Sequence, residues 1–236
     1  MPNDLWNQLA SSARRPLTNA QVGQLDRYLD LLFEANTRMN LTRIVDREQA
    51  AIGHIGDALT LLPFLPTHSF TLADIGSGGG VPGLPLAIAC PESTIILIES
   101  TNKKAAFLRA CADQIGLSNV RVVPMRAEEA GRGPLRETLD FVTARAVGEL
   151  VFLIEWGIPI LRKGGKLLAM KGAKAAEEIA DSRRVLTALN ASEAIIHPVQ
   201  LPGAEHHVIV EIKKLGGTDP RYPRNATTAK GKPIKY

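Results

Sequence analysis

Between Phe70 and Cys90 the chain runs from an apolar stretch through Asp74-Ile75-Gly76-Ser77-Gly78-Gly79-Gly80 into a second apolar stretch, and few folds accommodate that order. Phe70–Ile75 has the length and composition of a buried strand. Gly76, Gly78 and Gly80 fall at alternate positions, where glycine permits positive φ and removes a Cβ that would hold a ligand off the backbone. Pro82 suits the first turn of the helix expected at Leu84–Cys90, because its missing N–H is not needed there. The loop then lies at the carboxyl end of the first strand, the edge on which open α/β sheets bind ligands.

The rest of the chain agrees with such a sheet. Further strands are expected at Ile95–Glu99, Val120–Val123, Phe141–Ala144 and Lys166–Met170. Helices are expected between and after them at Lys103–Ile115, Glu149–Leu161 and Ala173–Leu189. This alternation implies a parallel sheet with right-handed crossovers and helices on both faces. Glu193–Val199 and His207–Ile212, separated by Leu201-Pro202-Gly203, read as an antiparallel hairpin that completes a mostly parallel, seven-stranded α/β sheet. Before Phe70 there are only helical patterns. Val22, Leu25, Leu29, Leu32 and Phe33 share one face of a helix that Thr18 or Asn19 can cap. Ile52, Ile55, Leu59 and Leu62 share a face of a second, which Pro63 and Pro66 close. The expected organisation is an N-terminal helical appendage (1–66), an α/β domain (67–215) and a tail (216–236).

Composition narrows the class. At 236 residues, 45% hydrophobic and 22% charged, the chain can bury a sizeable core. No stretch approaches the roughly 18 apolar residues of a spanning helix, and the N-terminus lacks a secretory pattern. Cys90 and Cys111 stand alone, outside any CxxC or Cys/His cluster, so they read as reduced and buried, with no metal site. A cytoplasmic location and a monomer are the expectation. From Asp219 onward there are five basic residues, Arg221, Arg224, Lys230, Lys232 and Lys235, against one acid. The net charge of +4 therefore sits in this tail, which either attracts a polyanion through these cations or is simply solvated.

The glycines alone leave two cofactor classes open, since Gly78-x-Gly80-x-x-Gly83 also satisfies the dinucleotide fingerprint. Asp74 separates them. A carboxylate before the loop would repel a pyrophosphate, whereas S-adenosylmethionine has no phosphate and carries a sulfonium and an ammonium. Glu99 ends the second strand, where an acid can accept from ribose hydroxyls in either class. Ala127-Glu128 follows the third strand, within reach of an adenine.

Asn40-Leu41-Thr42, the loop Gly76–Pro85, Thr143-Ala144-Arg145-Ala146 and Met170-Lys171-Gly172, in this order, closely resemble the RsmG family, also called GidB. The likeness runs from about Leu31 to Lys213 and includes the helical appendage. It implies a Rossmann-like class I methyltransferase that uses S-adenosylmethionine to methylate N7 of a guanine in 16S ribosomal RNA. It also implies cofactor contacts at Gly76, Val81, Ala127, Glu128 and Arg145. His54 and Asp57 match a family pattern whose role is open, and the middle of the tail departs from the family.

With N7 as nucleophile no proton need be removed, so alignment can supply most of the catalysis. Arginine or lysine commonly pairs with guanine O6, and Arg145 and Lys171, after the fourth and fifth strands, are the candidates for positioning the base. The partner implied is 16S RNA or a small-subunit particle. A small-molecule methyltransferase would share the loop but leave the tail unexplained. A nicotinamide-dependent oxidoreductase would leave Asp74 facing phosphate, and a non-enzymatic RNA-binding protein would not need the loop.

Overall fold

The computed structural model describes residues 2–234. Its strands form a seven-stranded sheet in the order β3-β2-β1-β4-β5-β7-β6. These are β1 (Thr71–Ile75), β2 (Thr94–Ile98), β3 (Val120–Val123), β4 (Leu139–Arg145), β5 (Leu161–Lys171), β6 (Ile195–Pro198) and β7 (Val208–Lys213). The pairs β2–β3, β1–β4 and β4–β5 are parallel, while β5–β7 and β6–β7 are antiparallel. Strand number, direction and the terminal antiparallel pair agree with the pattern in the sequence. No helix among the described residues is long and apolar enough to cross a membrane.

The contacts divide the chain into two compact units. The first takes the chain up to Phe70, Ser77–Pro124 and Gln200–Glu205. It opens with α1 (Pro2–Ser12), which the periodicity did not announce. Its Trp6 is fully buried and donates its indole N–H to the Ala51 carbonyl at 2.9 Å. Thr18 begins α2 (Asn19–Met39) with a capping box to Gln21, satisfying N–H groups that a helix start leaves open. Leu25, Tyr28, Leu29 and Leu32 form the buried stripe. On the flank, Gln21 and Gln24 donate to the carbonyls of Ile88 and Ile115, at the ends of α5 (Gly83–Ala89) and α6 (Asn102–Ile115).

The second expected helix is not one regular helix. Short α3 (Arg47–Ala50) passes into a π-helix at Ala51–Gly56, then α4 (Asp57–Leu59) and a 3₁₀ turn at Leu62–Phe64. Ile55, Leu59 and Leu62 of the expected stripe are nevertheless fully buried. The wider π turn adds His54 and Asp57 to the buried residues, while Ile52 is only half-buried. Burial pushes the Cys90 thiol up to about 11, with Arg15 pulling it back, and the Cys111 thiol up to about 12. Both stay protonated and free, as the sequence suggested.

The second unit comprises Thr71–Gly76, Met125–Val199 and the chain from His206. It holds β1, β4, β5, β7 and β6 together with α7 (Ala127–Ala130), α8 (Leu150–Gly157), α9 (Ala175–Asp181), α10 (Arg183–Ala188) and α11 (Ala226–Gly231). One expectation is corrected here. The helix expected over Ala173–Leu189 is broken between α9 and α10, where the buried Ser182 turns its hydroxyl back onto the Glu178 carbonyl at 2.7 Å. The β6–β7 connection contains the expected Pro/Gly turn: across Pro202 and Gly203, Ala204 N donates to Leu201 O at 3.0 Å, with Gly203 at φ +74°. It spans the residues between Pro198 and Val208, and Leu201 within it is buried.

Candidate functional site

The glycine loop leaves β1 at Ile75. Asp74 lies on the strand, fully buried, in register with the equally buried Thr143 of β4. Gly76 has φ +68° and Gly80 has φ +99°, values that an L side chain rarely adopts. A Cβ at Gly76 would stand 2.7 Å from a methyl of Val147, and one at Gly80 would stand 2.5 Å from Leu84 Cδ1. The sequence suggested that these glycines leave room for a ligand. At these two positions it is the protein's own side chains that take the space. The loop is tight: Gly80 N donates to Ser77 O at 2.6 Å, and Leu84 N to Gly80 O at 2.7 Å.

Glu99, just past β2, is 6% exposed. One carboxylate oxygen accepts from Gly78 N at 2.9 Å and the other from Thr101 N at 2.7 Å. Glu99 therefore pins the glycine loop, a role that spacing did not reveal. A carboxylate offers about four lone-pair positions, so each oxygen keeps further acceptor capacity. Ala127 and Glu128 open α7 and are both nearly buried. Asp74 and Glu128 in the second unit and Glu99 in the first are each buried carboxylates, acceptors that would repel a pyrophosphate rather than bind it. The residues present fit S-adenosylmethionine.

Comparison with known proteins decides the family. The family model for GidB, rRNA small subunit methyltransferase G, matches residues 21–208. The chain belongs to the GidB family. Proteins named Ribosomal RNA small subunit methyltransferase G from Chloroflexus aggregans and Sorangium cellulosum are 44% and 46% identical to it. The alignments cover 89% and 88% of this chain and 88% and 85% of theirs. A solved SAM-dependent methyltransferase from Aquifex aeolicus shares the fold with TM-score 0.54 at 14% identity, over 75% of this chain and 97% of that one. The resemblance drawn from the motifs is thus borne out, as is the Rossmann-like methyltransferase fold. This GidB protein is a methyltransferase with S-adenosylmethionine as methyl donor, and the oxidoreductase reading of the glycine loop falls away.

The cations of this GidB chain are less uniform than the sequence suggested. Arg145 ends β4, half-buried, in register with Met170 of β5. Lys171 has another employment. Its Nζ lies 2.6 Å from Glu178 Oε2 and donates to the Gly148 carbonyl at 2.8 Å, with the side chain only 10% exposed. The same Glu178 oxygen accepts from Leu150 N at the start of α8, so Lys171 locks that helix terminus. Val81 stands in the turn before α5. Among the described residues no group of three or more His, Cys, Asp or Glu could hold a metal ion.

The tail packs onto the second unit. Arg136 donates to the carbonyls of Tyr222 and Thr218 at 2.7 Å each, and Arg132 donates to Pro223 O at 2.8 Å. Arg224 grips the 1%-exposed carboxylate of Glu155 through two guanidinium nitrogens, at 2.7 and 2.6 Å. The Glu155 hydrogen bond holds the Arg224 guanidinium above its ordinary pKa. Arg221 pairs with Asp219 at 2.8 Å. Lys230 and Lys232 are exposed, and Lys235 lies outside the described residues. A solvated, unstructured tail does not describe this segment.

Proposed function

We propose that this GidB protein transfers the methyl group of S-adenosylmethionine to N7 of a guanine in 16S ribosomal RNA, acting on the RNA or on a small-subunit particle. The observation that carries the donor half is Glu99, which fixes Gly78 with one oxygen and retains acceptors for a ribose. The RNA half rests on the family match over residues 21–208. When bound, the donor supplies a methyl group on a positively charged sulfur, and guanine N7 attacks it with a lone pair already available at neutral pH. The chain need not supply a general base, and its residues bind, orient and exclude water.

In this reading Glu99 orients the ribose and Asp74 favours a cationic ligand over a phosphate. Gly76, Gly78, Gly80 and Val81 shape the loop backbone, and Ala127 and Glu128 border the adenine. Arg145 contacts donor or target guanine, leaving N7 itself free. The test is direct. Nucleoside mass analysis of 16S RNA should find N7-methylguanosine in cells carrying the chain and lose that residue when its gene is deleted. An unchanged modification profile would refute the reading.

Lys230 and Lys232 are the tail cations best placed for phosphate, being exposed on and just after α11, whereas Arg224 is bound inside the fold. Replacing both by alanine should flatten the plot of log affinity for RNA against log salt by about one to two units. An unaltered slope would mean that these lysines do not touch the polyanion.

A further inference from the structure

The glycine loop is held from outside by the N-terminal helices. Tyr28 of α2 is fully buried, and its hydroxyl donates to the Gly79 carbonyl at 2.9 Å. At the same loop residue, a Cβ would stand 3.0 Å from Leu32 Cδ1 and 3.5 Å from Leu41 Cβ. Leu32 lies one turn beyond Tyr28 on α2, and Leu41 belongs to the Asn-Leu-Thr segment that follows it.

That segment is itself built to stay in place. Asn36 Oδ1 accepts from the N–H groups of Leu41 and Thr42, at 2.7 and 2.9 Å. Thr42 Oγ1 accepts from Ile44 N at 3.0 Å and meets Nε2 of the buried His54 at 2.8 Å. His54 therefore steadies the turn that backs the glycine loop. On its other side the loop is tied by Ser77 N to Ile98 O at 3.2 Å and by Gly78 N to Glu99. Peptide 79 sits between these two sets of restraints.

We propose that Tyr28 is a positioning residue for the methyl donor: its hydroxyl, clamping the Gly79 carbonyl, selects the loop conformation that binds S-adenosylmethionine. The proposal rests on the donor reading above. Its physical basis is the cost of a flexible site. A loop with positive φ at Gly76, Gly78 and Gly80 has many accessible conformations when untied, and apparent affinity falls in proportion to the competent fraction. The tether to α2 keeps that fraction high before the donor arrives. The N-terminal helices, remote in sequence from the motif, are then part of the donor site.

Tyr28→Phe keeps the ring in the α2 stripe and removes only the donor hydroxyl. Calorimetric titration with S-adenosylhomocysteine should show Kd raised about five- to tenfold, the size expected for one internal hydrogen bond. KM for S-adenosylmethionine should rise with it, while kcat at saturating donor and KM for the RNA stay within about twofold. In a cycle with Gly79→Ala, which crowds Leu32 and Leu41, the fold increase in Kd of the double variant should fall below the product of the two single increases. A Tyr28→Phe Kd within about twofold of wild type, with or without a lower melting temperature, would overturn the proposal and leave Tyr28 a packing residue. Wild-type protein without affinity for S-adenosylhomocysteine would overturn the donor reading itself, and the role of Tyr28 with it.

Discussion

Replacing Arg224 by alanine is expected to lower the melting temperature by about 6–12 °C, the largest stability loss among the tail cations. The residue left behind is the reason. Glu155 on α8 is 1% exposed and receives two guanidinium hydrogen bonds as well as Arg224 N at 3.0 Å. Without the guanidinium its charge stays buried and unpaired, which costs about 3 kcal/mol, and a chain of this size loses about 2–4 °C for each of those. The double variant Arg224→Ala/Glu155→Gln should recover much of the loss, since no buried charge remains. Calorimetric scans of the three proteins measure this, and a single variant that melts with wild type would show that Glu155 is solvated. Deleting residues 219–236 would disturb the same pair, so their part in RNA binding is better tested at Lys230 and Lys232.

Arg145→Ala should reduce methylation of 16S RNA by more than about tenfold, with little change in melting temperature. Arg145 ends β4 beside Met170, one strand over from the glycine loop's own strand β1. A cation there can meet the donor or guanine O6, and either contact is lost on truncation. The two uses separate in the kinetics. A raised Kd for S-adenosylhomocysteine assigns the guanidinium to the donor, whereas a reduced kcat at unchanged Kd assigns it to the target base. Near-normal methylation by a folded variant would remove Arg145 from the site altogether.

Much of this protein is legible in one dimension because its signals are local. The strand and helix periods place all seven strands to within a few residues, apart from the early start of β5 at Leu161. Of the two cap candidates, Thr18 and Asn19, the structure takes Thr18, whose partner Gln21 is three residues away. The signals that misled were those that need a neighbour. The stripe from Ile52 to Leu62 has a regular α spacing, yet the chain takes a π turn through it. Lys171 and Arg224 look like free cations until Glu178 and Glu155 are seen against them. Tyr28 is not in the apolar stripe read from the sequence, which runs through Val22, Leu25, Leu29, Leu32 and Phe33. A buried tyrosine hydroxyl needs a partner, and that was the one hint of its contact.

What the sequence determined by itself is the glycine loop after β1 and the acids at the ends of β1 and β2, because backbone sign and charge reside in the residue types. Tertiary structure alone decided which side chains fill the space beside those glycines and which residues hold the loop still. It also decided which basic residues are consumed by the fold. Each of these depends on pairs far apart in the chain, Tyr28 with Gly79 and Glu155 with Arg224, brought together only when the apolar stripes around them are buried.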